Sequence, residues 1–502
     1  MEAPISDPVG AARGARAYRA IYLALILAAI VFALVQSVVS PLLPLVQEHL
    51  HTDAASVTWV LTAYLISAAV ATPVLARLGD VLGKRRVLVA VLGTFAVGCL
   101  VAALADSLAV LLVGRVLQGA AGALFPLSFA IIRDEAPPHR VATSIGVVSS
   151  LLAVGSGTSL VIAGPMTRYL GYSSVFWLPV VLSCAAFVAV VVAVPESRVR
   201  TPGLPGLLPT VLLAGWLVGL LLVVSSGSRW GWTSALTLGI GAAAVVLAAG
   251  WWLAERRAER PVVDVRLLRL RTVWTSNLVA LAVGATVYGN FALIPRFLQA
   301  SGPTGHGLGL SLGQAGLLLL PQTVGFALGG TLSGRLGRWL SPRRVLLTAS
   351  LVATAGYGGL ALFHASAWQI ALVTLVSGTG NGLAFAVLPT IVMAAVPPTQ
   401  TGAATGLNAN VRLIGGAIGG QLVAAVAVGF GAAAAVPTQS GYTWAFAVLA
   451  GFAVTGALVG TLIPPGTRSA PPGRHSRGDG GTAAGSLSTG LPSERESGRA
   501  SP

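Results

Sequence analysis

Long apolar runs alternating with short charged loops set the pattern of this chain. A helix that crosses a bilayer needs ~20 mostly apolar residues, and only helices and closed barrels satisfy the backbone in hydrocarbon. The runs are too long for barrel strands. Fourteen spans are predicted: 20–42, 56–76, 86–105, 108–132, 141–164, 174–194, 205–225, 233–253, 273–295, 311–333, 343–363, 367–395, 403–430 and 441–463. The first run, from Ile21 to Val39, has no A-x-A-like cleavage site after it, so it reads as a spanning helix.

The spans repeat. The loop Ala76-Arg-Leu-Gly-Asp80-Val-Leu-Gly83-Lys-Arg85-Arg86-Val87 returns 258 residues later as Gly334-Arg-Leu-Gly-Arg338-Trp-Leu-Ser341-Pro-Arg343-Arg344-Val345. Gln118-Gly119 and Pro126 of span 4 return as Asn381-Gly382 and Pro389 of span 12, and Gly146 and Gly155 of span 5 as Gly406 and Gly415 of span 13. Pro137-Pro138 returns as Pro397-Pro398. Several matches in register imply two parallel copies, spans 1–6 and 9–14, with spans 7 and 8 inserted between them. The predicted organisation is a cytoplasmic N-terminal segment (1–19), a six-helix bundle (20–195), a linker with the two inserted helices (196–255), a basic connector (256–272), a second six-helix bundle (273–463) and a disordered tail (464–502). The connector, Glu255–Arg271 with six arginines, is expected to form an amphipathic helix on the inner membrane face.

Composition agrees with this picture. The 502 residues are 55% hydrophobic and 9% charged, where a soluble chain carries nearer a quarter charged residues. The net charge of +16 could suggest nucleic acid, but the arginines sit in short loops without stacking aromatics, which excludes that class. All but five of the 31 basic residues fall in inward loops and tails if the N-terminus is cytoplasmic; the exceptions are Arg115, Arg168, Arg229, Arg296 and Arg412. This positive-inside bias places both termini in the cytoplasm of a multi-pass inner-membrane protein. Cys99 and Cys184 lie inside apolar runs and read as small hydrophobes. The six histidines form no metal-ligand set, and no phosphate-binding loop is present. No cofactor and no enzymatic activity are expected.

These motifs resemble the major facilitator superfamily, in particular its fourteen-span drug:proton antiporter branch. The resemblance covers about residues 20–463 and rests on the loop 76–87 with its displaced copy. Arg115-Val-Leu-Gln118-Gly119 and a glycine-rich span 5 with Gly155, Gly157, Gly164 and Pro165 add to it. It implies an all-α membrane fold of two six-helix bundles plus two inserted helices, working as a monomer by alternating access. It also implies that Asp80, with Arg77, Gly79, Gly83, Lys84, Arg85 and Arg86, forms a cytoplasmic latch between the bundles. Arg338 stands in the Asp80 position of the second copy, so a matching second latch is not expected.

Two arginines lie within spans. Arg115 is roughly 10 Å below the outer end of span 4 at 1.5 Å per residue, and the resemblance links it, with Gln118, to proton transfer. A charge in hydrocarbon costs at least ~2.5 kcal/mol, so both Arg115 and Arg412 should face a polar interior. Asn408 shares a helical face with Arg412, which could bind an anionic substrate group or bridge the bundles. Gln36, Ser37, Ser40, Tyr64, Tyr288, Asn290 and Asn381 lie on helices that the family uses to line its central cavity. All fifteen acidic residues fall in loops, tails or span ends, so no carboxylate lies mid-membrane. The usual proton carrier of such antiporters is therefore missing. The predicted function is export of hydrophobic or amphiphilic small molecules, in exchange for protons by the resemblance. A facilitative or uptake carrier without proton coupling is the first alternative, and a membrane sensor or assembly protein on a transporter fold is the second.

Overall fold

The computed structural model describes residues 8–170, 174–197, 199–201, 203–300, 307–429 and 437–465. The tail predicted to be disordered lies outside the described residues from 466 onward. Within the described residues the chain is helical, with fourteen long helices. The first six are α1 (Pro8–His49), α2 (Trp59–Leu82), α3 (Lys84–Ala103), α4, α5 (Pro138–Leu170) and α6 (Ser174–Ala193). Helix α4 runs as Leu108–Gly119 and Leu124–Glu135 on either side of a 3₁₀ turn. The inserted pair is α7 (Leu207–Trp230) and α8 (Ala235–Arg257). The last six are α9 (Arg271–Gln299), α10 (Leu320–Trp339, preceded by the short helix Leu312–Leu318), α11 (Pro342–Leu362), α12 (Ala367–Ala394), α13 (Thr401–Gly429) and α14 (Gln439–Gly460). Thirteen of these segments are long and apolar enough to cross a membrane, and the 33-residue α5 is the remaining helix in sequence order.

Large apolar side chains such as Val192, Leu207, Val245 and Leu351 stand on the outside of the bundles. In water that exposure would be costly, whereas lipid tails solvate it. The cohesion between helices must come from close packing instead, and glycine supplies it. A Cβ at Gly284 of α9 would collide with the Arg412 carbonyl of α13, and one at Gly415 or Gly419 with the Leu281 or Ala285 carbonyl of α9. Backbones in van der Waals contact maximise dispersion where no hydrophobic force acts.

Residues 8–19, predicted as a segment outside the first span, are helical and continuous with α1. One expectation changes. The connector forms only one helical turn, Val265–Leu268, capped by Asp264. Pro261 interrupts the run, and Val262, Val263 and Val265 are buried, so this stretch packs inward against α7 and α8. The inserted pair itself lies beside α2 and α13: Leu213, Leu217 and Trp251 pack with Val70 and Val74 of α2 and with Leu407 and Ile414 of α13.

Candidate functional site

The arginine-rich end of the molecule is closed by contacts between the two bundles. Gly83, at φ +115°, lets α2 turn into α3 where a side chain would be strained. Asp80 ends up fully buried one turn before that break. Its Oδ1 accepts from the Gly402 N–H at 3.2 Å and its Oδ2 from the Ala403 N–H at 2.9 Å. These are unpaired donors of the first turn of α13, left free because Pro398–Gln400 forms a separate 3₁₀ turn. A carboxylate at a helix N-terminus gains both charge-assisted hydrogen bonds and the favourable end of the helix dipole.

The basic residues of the same loop do other work. Lys84 Nζ meets Asp134 Oδ2 at 2.6 Å, a carboxylate that also accepts from Ser197 Oγ. Arg86 pairs with Glu196 at 3.3 Å, and Arg85 donates to the Val191 carbonyl at 2.7 Å. Gly79 lies against Leu127, and Arg77 is buried near Asp80 and Glu255. The loop cations therefore brace the first bundle, and Asp80 alone of the loop residues reaches the second by a hydrogen bond among the described residues. Two further residues, neither marked by any motif, also make contacts across the seam. Arg133 Nη1 donates to Thr401 Oγ1 at 2.5 Å, and the Thr201 hydroxyl donates to the Thr399 carbonyl at 2.7 Å. The Thr201 N–H also donates to the Asp80 carbonyl at 2.7 Å, so the linker straps across the seam.

Arg115 is fully buried in the first bundle. Its Nε donates to the Val60 carbonyl at 2.9 Å, its Nη1 to Gln118 Oε1 at 2.7 Å, and its Cζ lies 4.5 Å from the Tyr64 ring centroid. Gln118 in turn donates to the Gly98 carbonyl at 3.3 Å. The second bundle repeats this with neutral groups. Asn381 donates to Tyr357 Oη at 2.7 Å and accepts from Thr286 Oγ1 at 3.2 Å. Asn381 therefore belongs to a helix-joining network and not to a cavity wall. Asn408 likewise donates to Asn277 Oδ1 at 2.9 Å, which ties α13 to α9. Asn290 is fully buried, with no hydrogen-bond partner at either amide atom, and stands away from the cavity.

Between the bundles lies a pocket, open to solvent at its mouth, whose free space counted with that mouth is about 510 Å³. From the first bundle Gln36, Tyr64, Phe32, Phe125 and Phe129 face it; from the second come Tyr288, Phe385 and Arg412. The Arg412 Cζ lies 4.2 Å from the Phe385 ring centroid, and its Nη1 has no hydrogen-bond partner. No carboxylate lines this cavity among the described residues. Gln36, Tyr64 and Tyr288 line this one pocket, while Ser37 is half-buried on α1 outside the lining. The aromatic walls went unread because phenylalanines within spans give the same apolar signal whichever way they face. Of the span-5 residues, Gly155 brings α5 against Ala33 and Leu34 of α1. Ser40, Gly157, Gly164 and Pro165 lie outside the residues whose surroundings are described.

The family model for the Major Facilitator Superfamily matches residues 25–209 and 203–420. A tetracenomycin C resistance and export protein from Streptomyces glaucescens is 28% identical over 76% of this chain and 71% of its own length. A uridine/deoxyuridine transporter from Lactococcus lactis is also 28% identical, over 76% of this chain and 81% of its own length. Among solved structures, the human organic anion transporter MFSD10 (TETRAN) aligns with a TM-score of 0.64 at 17% identity, covering 90% of this chain and 99% of that one, a likeness of fold.

Proposed function

The chain belongs to the major facilitator superfamily, and from that premise we propose that it exports hydrophobic or amphiphilic small molecules across the cell membrane by alternating access. The observation that carries the reading is the aromatic cavity between two bundles whose arginine-rich end is closed by Asp80 on α13. The charge bias assigns that end to the cytoplasm, so this conformation has its inner gate shut. Separating the bundles at that end breaks the Asp80 bonds and opens the cavity inward. The resistance and export activity named for the Streptomyces glaucescens relative agrees with outward transport.

Proton exchange is the second element of this reading, and it needs a group that carries the proton through the cavity. The described lining offers none, which favours a carrier without proton coupling as the competing account. Proteoliposomes loaded with a pH-sensitive dye separate the two. Substrate-dependent proton flux that disappears in Arg115→Ala supports the antiporter; substrate flux without it supports the facilitator. An Asp80→Asn protein that reaches the membrane in normal amounts and transports normally would sink the proposed gate.

A further inference from the structure

The central cavity contains a cation that no carboxylate pairs with among the described residues. Arg412 is only 6% exposed, and its Nη1 has no partner although it borders the cavity. Burial of a charge in a low-dielectric site is costly unless it is paired. The Phe385 face offsets part of that cost through the ring quadrupole, yet leaves the N–H donors unused. A second buried cation, Arg115, lies behind Tyr64 on the opposite wall with its Nη2 also unpartnered. The remaining polar groups facing the cavity, among them Gln36, Ser149, Tyr64 and Tyr288, are neutral.

Building on the transport reading above, we infer that the substrate is an aromatic organic anion, a sulfonate, carboxylate or phenolate carried on a flat ring system. Its anionic group pairs with the Arg412 guanidinium, whose buried Nη1 is unpartnered until the side chain turns to the ligand, since a guanidinium matches oxyanions with directed N–H donors. Its rings lie among Phe32, Phe125, Phe129 and Phe385, which offer stacked and edge contacts. A lipophilic cation entering the same space would meet Arg412, with Arg115 behind Tyr64, and no acid among the described lining residues. This assignment also accounts for the missing carboxylate. An anion leaving the cell moves negative charge outward, and an interior-negative membrane potential drives that step without a proton carrier.

The test uses three matched probes: naphthalene-2-sulfonate, 2-naphthyl-trimethylammonium and neutral 2-naphthylmethanol. Binding is read from the melting temperature of the purified full-length protein. Flux of the two permanently charged probes is read in proteoliposomes with a potassium–valinomycin potential. The sulfonate should stabilise the protein and move with the sense of the potential. Arg412→Gln should lower its affinity by about tenfold or more, as expected for loss of a charge-assisted contact. Arg412→Lys should keep part of the affinity, and an unchanged response to 2-naphthylmethanol in both variants shows that the cavity is intact. Chloride alone is the other source of a compensating anion. Chloride that stabilises the wild type but not Arg412→Gln, with no effect of the sulfonate, overturns the organic-anion assignment. Binding and flux of the ammonium probe but not the sulfonate also overturn it, and leave the transporter reading standing. If no probe binds or moves, both readings fall.

Discussion

Where α2 of the first bundle meets α13 of the second, polar atoms hold the seam: Asp80 on two backbone N–H groups, Arg133 on Thr401, and Thr201 on Thr399. The repeat-related seam between α5 and α10 is built from small residues. A Cβ on Gly146 would strike the Gly330 carbonyl, one on Gly330 would strike Ser150, and one on Gly334 would strike Thr143. The hydroxyls there turn back on their own helices, Ser150 to the Val147 carbonyl and Ser333 to the Gly330 carbonyl. One seam depends on a charge and a helix end, so it can open by exchanging hydrogen bonds for water. The other depends on shape and keeps its contacts when the helices rock on each other. Under the alternating-access reading proposed above, the first seam is the catch and the second the hinge.

The asymmetry has a structural cause beyond the replacement of Asp80 by Arg338. Helix α13 starts at Thr401, so the Gly402 and Ala403 N–H groups point outward without helical acceptors. Helix α5 starts at Pro138, so the matching residues Ala142 and Thr143 lie beyond its first turn, where N–H groups are already bonded to the carbonyls four residues before them. An acid opposite α5 would find no free donors.

This contrast can be broken in four ways. Gly330→Leu should have the largest effect, because the new side chain must displace backbone on the hinge seam. It should cost more than the ~1–3 kcal/mol of ordinary overpacking and appear as lost yield and a lowered melting temperature. Asp80→Asn removes the charge from two hydrogen bonds whose net worth is ~1.5–3 kcal/mol each. It should leave the melting temperature near that of the wild type and shift the arginine-rich end toward open by roughly tenfold or more, read from spin-label distances between α2 and α13. Arg133→Gln shortens the reach to Thr401 and should produce the same shift at a smaller size, within a few-fold. Arg338→Asp, which restores the repeat motif, should leave the distances across α5 and α10 unchanged. A new closed population in that variant would overturn the donor argument.

The loop around Asp80, its copy and the two span-bound arginines were legible because charges and glycines stand out against apolar runs. The Lys84–Asp134 pair and the Arg133 contact were not, since their partners lie 50 and 268 positions away. Asn381 and Asn408 looked like cavity groups because a buried amide has the same sequence signature whether it faces a substrate or a neighbouring helix. Glu255 read as part of a basic connector, yet its Oε1 accepts from the Val263 N–H at 2.6 Å and folds the connector back on α8.

By itself, the sequence determined the number and order of the long helices, the repeated motifs at a fixed offset, and the absence of acid from the middle of the spans. Each of these follows from local hydropathy, from residue identity at a fixed offset, or from the cost of burying charge. Only the tertiary structure decided which face each helix turns inward. It set Arg412 free in an aromatic cavity while Arg115 is tied to its own bundle, and it gave Asp80 a helix end to hold while leaving the second seam bare. The reason is that hydrogen-bond partners and ring contacts are chosen by packing across helices, and helices whose every face is apolar carry no periodic signal to say which face that will be.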